Sequence, residues 1–417
     1  MNKKFNLSSI SSLALLSVIV MFFMMIAAIF YDLKGVKISV VIPFLFGVYF
    51  FISKPNTRLL IKSSKWILLS IAMLTVYYLL GYGDNQKTLQ LLLAFILPLG
   101  VFIIAFYTGL NNRQELMRVF LKFLFVAAIF SLIPFVGRGL MGGEISKKLA
   151  HEVYSTDTSL IIFWPFLFLT MTFAFSFINF NDGRSKKFFL ILFVILILSI
   201  FVSAFTAALV LMVLTFIGYY YIIASRKNFF KMAISGFVAL TIILIGFNLI
   251  GKGYFGDLGG SAGKINAFLM FFQTTNTFSQ QDLLKTATSG RSEIYEISIR
   301  SFLNSPVFGL GFSWEIINPI SSQHSSILDN FAYFGVFSIT ILMIYLKFIF
   351  NSFKLCKLSK QKVELQKNGV IFGLLLAFLI LNFFNPYFNY QMINSIIFFI
   401  GGWVSGNLEY KEKGIFI

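Results

Sequence analysis

The sequence predicts an all-α, polytopic integral membrane protein with about twelve transmembrane helices and one large extracytoplasmic loop that contains short helices. Hydrophobic residues make up 58% of the 417 residues and charged residues only 12%, whereas charged residues form about a quarter of an ordinary soluble domain. The apolar residues are gathered into long blocks, and the basic residues are concentrated between alternate blocks. Together these three observations define the fold class.

The apolar blocks define the predicted helices, because about 20 helical residues cross a hydrocarbon core of roughly 30 Å. The run 188–224 is too long for one crossing, so we divide it near Ser203 and Ala204. The first block follows Lys3 and Lys4 and exceeds the apolar core of a usual signal peptide, so we interpret it as an uncleaved helix. The predicted helices are residues 10–30, 36–52, 66–80, 88–107, 116–136, 159–178, 188–202, 206–224, 229–250, 327–350, 369–384 and 393–404.

The charges predict the orientation, since Lys and Arg accumulate in cytoplasmic loops. With the N-terminus inside, the predicted inner segments hold 23 of the 34 basic residues and 5 of the 16 acidic residues, and therefore the whole net charge of +18. Both termini are then cytoplasmic. The charge is explained by topology, and we expect no nucleic-acid partner.

This topology divides the chain into three parts. Residues 1–250 form helices one to nine, residues 251–326 form the large outer loop, and residues 327–417 form the last three helices and a cytoplasmic tail. No inner segment is long enough for a nucleotide-binding domain, and there is no P-loop or dinucleotide motif. A nucleotide-dependent active site in the cytoplasm is therefore not expected.

The outer loop contains a predicted helix. Ser289 and the residue before it can cap a helix that runs from Arg291 to Asn304, and Pro306 with the following Gly-Leu-Gly turn ends it. Arg291 lies in the first turn of this helix, beside free backbone N–H groups, which suits the binding of an anion. An ordinary loop arginine paired with Asp282 or Glu293 is the alternative.

The other candidate cations have simpler explanations. Arg300 follows Glu296 by four residues, the favourable spacing for an ion pair within a helix. On a straight helix Arg300 also lies about 180° from Arg291, so the two cannot both reach one small ligand. Arg138 is a weaker candidate in the other long outer loop.

His324 directly precedes the tenth predicted helix. The positive end of the helix dipole favours a neutral imidazole, which can act as a base, although a histidine that caps the helix would look the same. Asp329 could orient polar groups nearby or pair with a loop cation. His151 is a weaker candidate. The two histidines lack zinc-ligand spacing, and Cys356 is the only cysteine, so we expect no metal and no cofactor.

Three segments taken in order resemble one family. They are Ser289-Gly290-Arg291-Ser292-Glu293, then Pro306-Val307-Phe308-Gly309-Leu310-Gly311, then His324-Ser325-Ser326-Ile327-Leu328-Asp329. This order is similar to the bacterial O-antigen ligase and polysaccharide polymerase superfamily, and the residues after the histidine are most like the repeat-unit polymerases of the Wzy type. The resemblance covers about fifty residues, and the Ser-Arg pair common near the seventh and eighth helices of that family is here Ser203-Ala204.

The resemblance implies glycosyl transfer between polyprenyl-diphosphate-linked oligosaccharides on the outer side of the bacterial cytoplasmic (inner) membrane, for O-antigen or capsular polysaccharide. Arg291 would then bind the diphosphate, with Arg300 or Arg138, and His324 would act on the acceptor hydroxyl. Asp329, Glu293 and His151 would support them. A chain-length regulator is a possible protein partner.

Two other interpretations stay open. A ligase that attaches the finished polysaccharide to another acceptor would share the same site. A flippase or other carrier of lipid-linked oligosaccharides would be a transporter and no enzyme, and we expect such a protein to have shorter outer loops and paired internal repeats.

Overall fold

The computed structural model describes residues 16–18, 32–33, 36–53, 57–111, 206–224, 291–312, 325–384, 388 and 391–413. These residues are almost entirely helical, which confirms an all-α fold. Among the described residues, four segments are long and apolar enough to cross a membrane, and the chain is therefore a membrane protein. The total of twelve stays a prediction, because five predicted helices (10–30, 116–136, 159–178, 188–202 and 229–250) lie wholly or mainly outside the described residues. The four segments are Thr57–Leu79, Asn85–Leu110, Ser326–Lys357 and Glu364–Leu381.

Nine α-helices are present in the described part of the chain. A short hairpin of β1 (Asp32–Leu33) and β2 (Val36–Lys37) precedes them, and a 3-10 turn at Gly335–Ser338 joins α6 to α7. The helices are α1 (Ile38–Ser53), α2 (Thr57–Leu79), α3 (Asn85–Leu110), α4 (Thr206–Ile223), α5 (Arg291–Asn304), α6 (Ser326–Phe334), α7 (Ile339–Lys357), α8 (Lys362–Leu381) and α9 (Gln391–Lys413).

Several helices extend past the apolar blocks that predict them. α2 begins at Thr57, well before the predicted start at Trp66, and α9 continues from the predicted end at Val404 to Lys413. Backbone hydrogen bonding continues where the side chains become polar, so an apolar block delimits the expected hydrocarbon crossing and not the helix itself. Large apolar side chains such as Ile52 and Leu79 are exposed, as expected of surfaces that meet lipid.

Glycines allow α3 to pack directly against α9. A Cβ atom at Gly402 would meet the carbonyl oxygen of Phe102, and one at Gly406 would meet that of Phe106. Gly109 of α3 is equally close to the backbone of α9. Small residues at such crossings let two backbones approach within van der Waals contact, which is a main source of helix association in membranes.

The direction of the packed helices agrees with the predicted alternation across the membrane. The α3–α9 contacts pair residues in parallel register, from Ala94 with Asn394 to Phe106 with Gly406. If both helices cross the membrane as predicted, they enter from the same side, and the chain between them must cross an odd number of times. The predicted number of intervening crossings, seven, meets this requirement.

Residues assigned to the cytoplasmic side lie together at one end of these helices. Lys347 of α7 interacts electrostatically with Lys62 of α2 and Glu409 of α9. Nζ of Lys354 lies 3.9 Å from Oε1 of Glu412, which also joins α7 to α9. The residues of the predicted outer loop contact the opposite end of α2 and the 3-10 turn that precedes α7. Which end faces the cytoplasm stays a prediction from the charges.

The chain divides into two compact units. The first comprises Met1–Phe123, Tyr295–Lys360 and Phe378–Ile417, and the second comprises Leu124–Ile294 and Gln361–Ala377. Within the second unit α4 packs against α8 in antiparallel register. Gly373 approaches the backbone of Thr215 and Gly369 approaches Tyr219, as the opposite predicted directions of these two helices require.

Candidate active site

The helix predicted between Arg291 and Asn304 is present with those bounds as α5, so its predicted extent is confirmed. Arg291 is its first residue and Glu293 lies in its first turn; the side chains of both lie outside the described residues, as do the residues His324, Arg138 and His151. Arg300 and Asp329 are described. The described part of the site consists of Ser298 on α5, Ser325 and Asp329 at the start of α6, and their hydrogen-bond partners.

A buried hydrogen bond joins the outer-loop helix α5 to α6. Oγ of Ser298 donates to Oδ1 of Asp329 over 2.6 Å, and the two side chains are 0% and 1% exposed. A bond to a charged acceptor inside a protein is stronger than a neutral one. Asp329, predicted to orient polar groups or to pair with a loop cation, thus binds a serine hydroxyl and fixes α5 against the start of α6.

The first turn of α6 is closed by Ser325. This residue has the extended conformation of a helix cap, and its Oγ accepts a hydrogen bond from the backbone N–H of Leu328 over 3.1 Å. Its own N–H donates to Oδ2 of Asp329 over 3.3 Å. The cap is therefore supplied by Ser325, and His324, directly before it, is not required for that task.

The end of α8 is bonded to the same turn. The carbonyl oxygen of Asn382 accepts hydrogen bonds from the N–H of Ile327 and from Oγ of Ser325, both over 3.3 Å. Oγ of Ser326 accepts from the N–H of Phe388 over 2.9 Å. Because its N–H groups at 327, 328 and 329 already have acceptors within the chain, this helix start is a rigid support and not an open anion cradle.

The glycine turn packs against the other end of α6. The N–H groups of Leu310 and Gly311 donate to the carbonyl oxygens of Ala332 and Tyr333, each over 2.9 Å. These carbonyls belong to the last turn of α6, where the backbone C=O groups have no N–H donor within the helix. Gly309 and Gly311 have φ angles of +71° and +66°, which residues with a Cβ rarely adopt.

Two tyrosines from the first part of the chain hold this turn. The hydroxyl of Tyr77 donates to the carbonyl oxygen of Phe308 over 2.7 Å, and that of Tyr82 donates to the carbonyl oxygen of Gly309 over 3.0 Å. The N–H of Asp84, the residue that caps α3, donates to the carbonyl oxygen of Phe312 over 2.8 Å. The outer-loop segment is thus bonded both to α6 and to the ends of α2 and α3.

Arg300 does not reach Asp329. Its guanidinium pairs with Glu296, as the four-residue spacing predicts, and both side chains are exposed, by 74% and 56%. Arg300 is two residues from Ser298, about 200° around the helix, and so lies on a face different from the one that contacts α6. Such an exposed pair contributes little to stability and leaves the guanidinium away from the buried joint.

Several asparagine side chains are buried, and the apolar pattern of the sequence does not single them out. Nδ2 of Asn394 donates to the carbonyl oxygens of Ala94 and Phe388, over 2.9 and 2.8 Å, and its Oδ1 accepts from the hydroxyl of Tyr345 over 2.5 Å. Asn330 of α6 is also buried. Polar side chains within apolar segments are a usual sign of functional sites in membranes, and this rule could have identified them.

Of the segments that carry the family resemblance, Pro306–Gly311 is bonded to the last turn of α6, the helix that begins within Ser325–Asp329. Among the described residues, no group of three or more His, Cys, Asp and Glu side chains is placed to hold a metal ion. Comparison with protein-family models finds no match, and comparison with curated proteins finds no similar sequence. The arrangement of the site therefore rests on the geometry described above.

Proposed function

We propose that the protein is a glycosyltransferase that polymerises polyprenyl-diphosphate-linked oligosaccharide repeat units on the outer side of the bacterial cytoplasmic membrane. The observation that carries this proposal is the Ser298–Asp329 hydrogen bond. It joins the helix that begins at Arg291 to the helix that follows His324. Position 291 begins one of the two helices that this bond joins, and position 324 directly precedes the other in the sequence.

The spacing along α5 fits a diphosphate-binding role for Arg291. Residue 291 precedes Ser298 by seven residues, which is about two turns, so both positions share a face and lie roughly 10 Å apart along the axis. Ser298 faces α6. A guanidinium can bind two phosphate oxygens at once and can stabilise the charge that develops on a leaving diphosphate.

The proposed reaction needs few groups. The acceptor sugar hydroxyl loses its proton to His324, and its oxygen forms a bond to the anomeric carbon of the donor glycan. The bond from that carbon to the diphosphate oxygen breaks, and the electron pair leaves with the polyprenyl diphosphate held by Arg291. Ser325 and Asp329 support position 324 by fixing the helix start that follows it.

A deletion strain tests the function. It should keep single repeat units on its surface carrier and lose long polymer, and the wild-type gene should restore the polymer. Loss of single units from the outer side would favour a flippase. Long polymer that accumulates on its lipid carrier without attachment would favour a ligase. Either result would contradict the proposal.

A further inference from the structure

Asn330 is a buried side chain without a hydrogen-bond partner among the described residues. It lies in the middle of α6, next to Asp329, and is 2% exposed. Within the part of the chain that the structure describes, neither its Nδ2 nor its Oδ1 has a hydrogen-bond partner. Burial of a donor and an acceptor without partners is unfavourable, because the water they lose is not replaced. Such a group in a folded protein requires an explanation.

The neighbouring asparagines show how unusual this is. Oδ1 of Asn382 accepts from the N–H of Phe388 over 3.0 Å, and its Nδ2 donates to the carbonyl oxygen of Phe378 over 2.7 Å. Asn394 has partners on both amide atoms, as described above. Asn382 and Asn394 thus have partners on both amide atoms, whereas Asn330 has none in the described part of the chain.

The position of Asn330 connects it to the candidate site. It follows directly after Asp329, which α5 holds through Ser298, and it lies one turn after Ser326, which Phe388 holds. Both its immediate neighbour and the residue one turn before it are therefore fixed. Because the backbone around Asn330 is held by these bonds, its amide keeps a fixed position. A fixed amide suits the positioning of a bound group.

The chemistry of the amide indicates the kind of group. Nδ2 offers donors and Oδ1 offers an acceptor, so the partner must both accept and donate. A diphosphate only accepts and would leave Oδ1 unpaired. Sugar hydroxyls and acetamido groups do both. We propose that Asn330 binds a hydroxyl or acetamido group of the glycan and positions that sugar for transfer, an inference that rests on the proposed function.

The decisive variant is Asn330→Leu, which has a similar volume and no polar atoms. Removal of two unpaired buried groups should leave the thermal unfolding midpoint of the purified protein unchanged or raised. Long polymer made in the deletion strain should nevertheless fall at least about tenfold, as expected for a lost substrate hydrogen bond. If the branched side chain prevents folding, Asn330→Ala, which only removes atoms, carries the same expectation for polymer.

Ser352→Ala is the matched control. Ser352 is 0% exposed, and its Oγ also has no partner among the described residues, but it lies beyond the break at Gly335, roughly 20 Å along the axis of α7 from the start of that helix. This variant should keep both the midpoint and the polymer. Wild-type polymer in Asn330→Leu would overturn the proposal, and so would a loss of polymer accompanied by a lowered midpoint.

A binding measurement distinguishes a failure of this inference from a failure of the proposed function. Lipid-linked repeat units extracted from the deletion strain should raise the unfolding midpoint of the wild-type protein and of His324→Ala, but not that of Asn330→Leu. Equal shifts in wild type and Asn330→Leu would overturn the role of Asn330 and leave the polymerase intact. No shift in any of them would overturn both. A shift lost only in Asn330→Leu supports the glycan contact even if the deletion strain shows no defect in polymerisation.

Discussion

The Oγ of Ser298 lies 2.6 Å from Oδ1 of Asp329, and neither side chain is accessible to solvent. The two residues are 31 positions apart, and the bond between them connects a helix of the predicted outer loop to the start of a membrane-crossing segment. A serine hydroxyl and a carboxylate thus hold together the two parts of the proposed site.

Ser298→Ala should weaken this joint. The buried carboxylate of Asp329 loses its short donor, and the expected decrease in the free energy of unfolding is about 1–3 kcal/mol. Polymer formation should fall as well, because α5 is no longer fixed against α6. Ser301→Ala is the control, since Ser301 is a buried serine on the same helix. A midpoint as low in Ser301→Ala as in Ser298→Ala would show that the bond to Asp329 has no special role.

Gly309→Ala should destabilise the glycine turn far more than Gly81→Ala. Both glycines have left-handed φ angles, +71° and +63°, so both alanines pay a conformational penalty of about 1–2 kcal/mol. Only at Gly309 would the new Cβ also collide with the backbone of Tyr333, whereas at Gly81 the nearest atom is Nδ2 of Asn85 at 3.9 Å. Unfolding midpoints of the two purified variants measure the difference, and equal midpoints would contradict the tight packing of the turn.

Arg291→Lys should lose most activity if Arg291 binds the diphosphate at two points, because lysine is a point charge without the guanidinium fork. Loss of such a group costs about 3–4 kcal/mol of barrier, or roughly 10² to 10³ in rate. Arg300→Lys should behave like wild type, since Arg300 is exposed and paired with Glu296. The activities of both variants are measured as the amount of polymer made per amount of membrane-inserted protein. Activity of Arg291→Lys equal to that of Arg300→Lys would exclude the two-point contact.

His324→Ala should lower the rate by roughly 10² to 10⁴ if His324 is the general base. His324→Gln should restore little, because glutamine keeps a hydrogen bond but cannot take the proton. A capping role predicts the opposite for glutamine, although α6 already has Ser325 as its cap. Both variants must reach the membrane in normal amount. Normal polymer from His324→Gln would exclude proton transfer by this residue.

The predicted sidedness can be measured with single cysteines. Cys356 is only 3% exposed, so its failure to react would not report on the side of the membrane. The exposed positions Asn304 and Lys360 are better probes in a background of Cys356→Ser. In spheroplasts, an impermeant thiol reagent should label Asn304→Cys and not Lys360→Cys. The reverse pattern would invert the topology.

Sequence patterns identified the described helices well and their contacts poorly. Apolar blocks predicted the positions of the membrane helices, because the hydrocarbon core fixes their composition. α5 was predicted from a different signal, a helix cap before Arg291 and Pro306 after the helix. The Glu296–Arg300 pair followed from local spacing. The bond from Ser298 to Asp329 did not follow from local spacing. Nothing in the local sequence distinguishes a helical serine that bonds to another helix from one that does not.

The interruption of the tenth predicted helix was also missed. The apolar block 327–350 contains no proline and was predicted to be a single helix. Gly335, with a φ angle of +57°, ends α6, and the N–H of Val336 donates to the carbonyl oxygen of Pro306 over 2.8 Å. The break thus depends on a contact with a residue far away in the sequence, which a local pattern does not contain.

The glycine crossing of α3 and α9 has a consequence for the synthesis of the protein. Asn394 and Ala94, which bond across it, are 300 residues apart, so α3 is made long before its closest partner. At about 5–20 residues per second, the ribosome needs roughly 15–60 s to reach α9. During that time the side of α3 that will receive Gly402 and Gly406 must face lipid or another helix that is later displaced. Premature termination near the end of the gene would therefore produce an almost complete chain that lacks α9, the helix that packs against α3. Such chains should be recognised and degraded by membrane proteases.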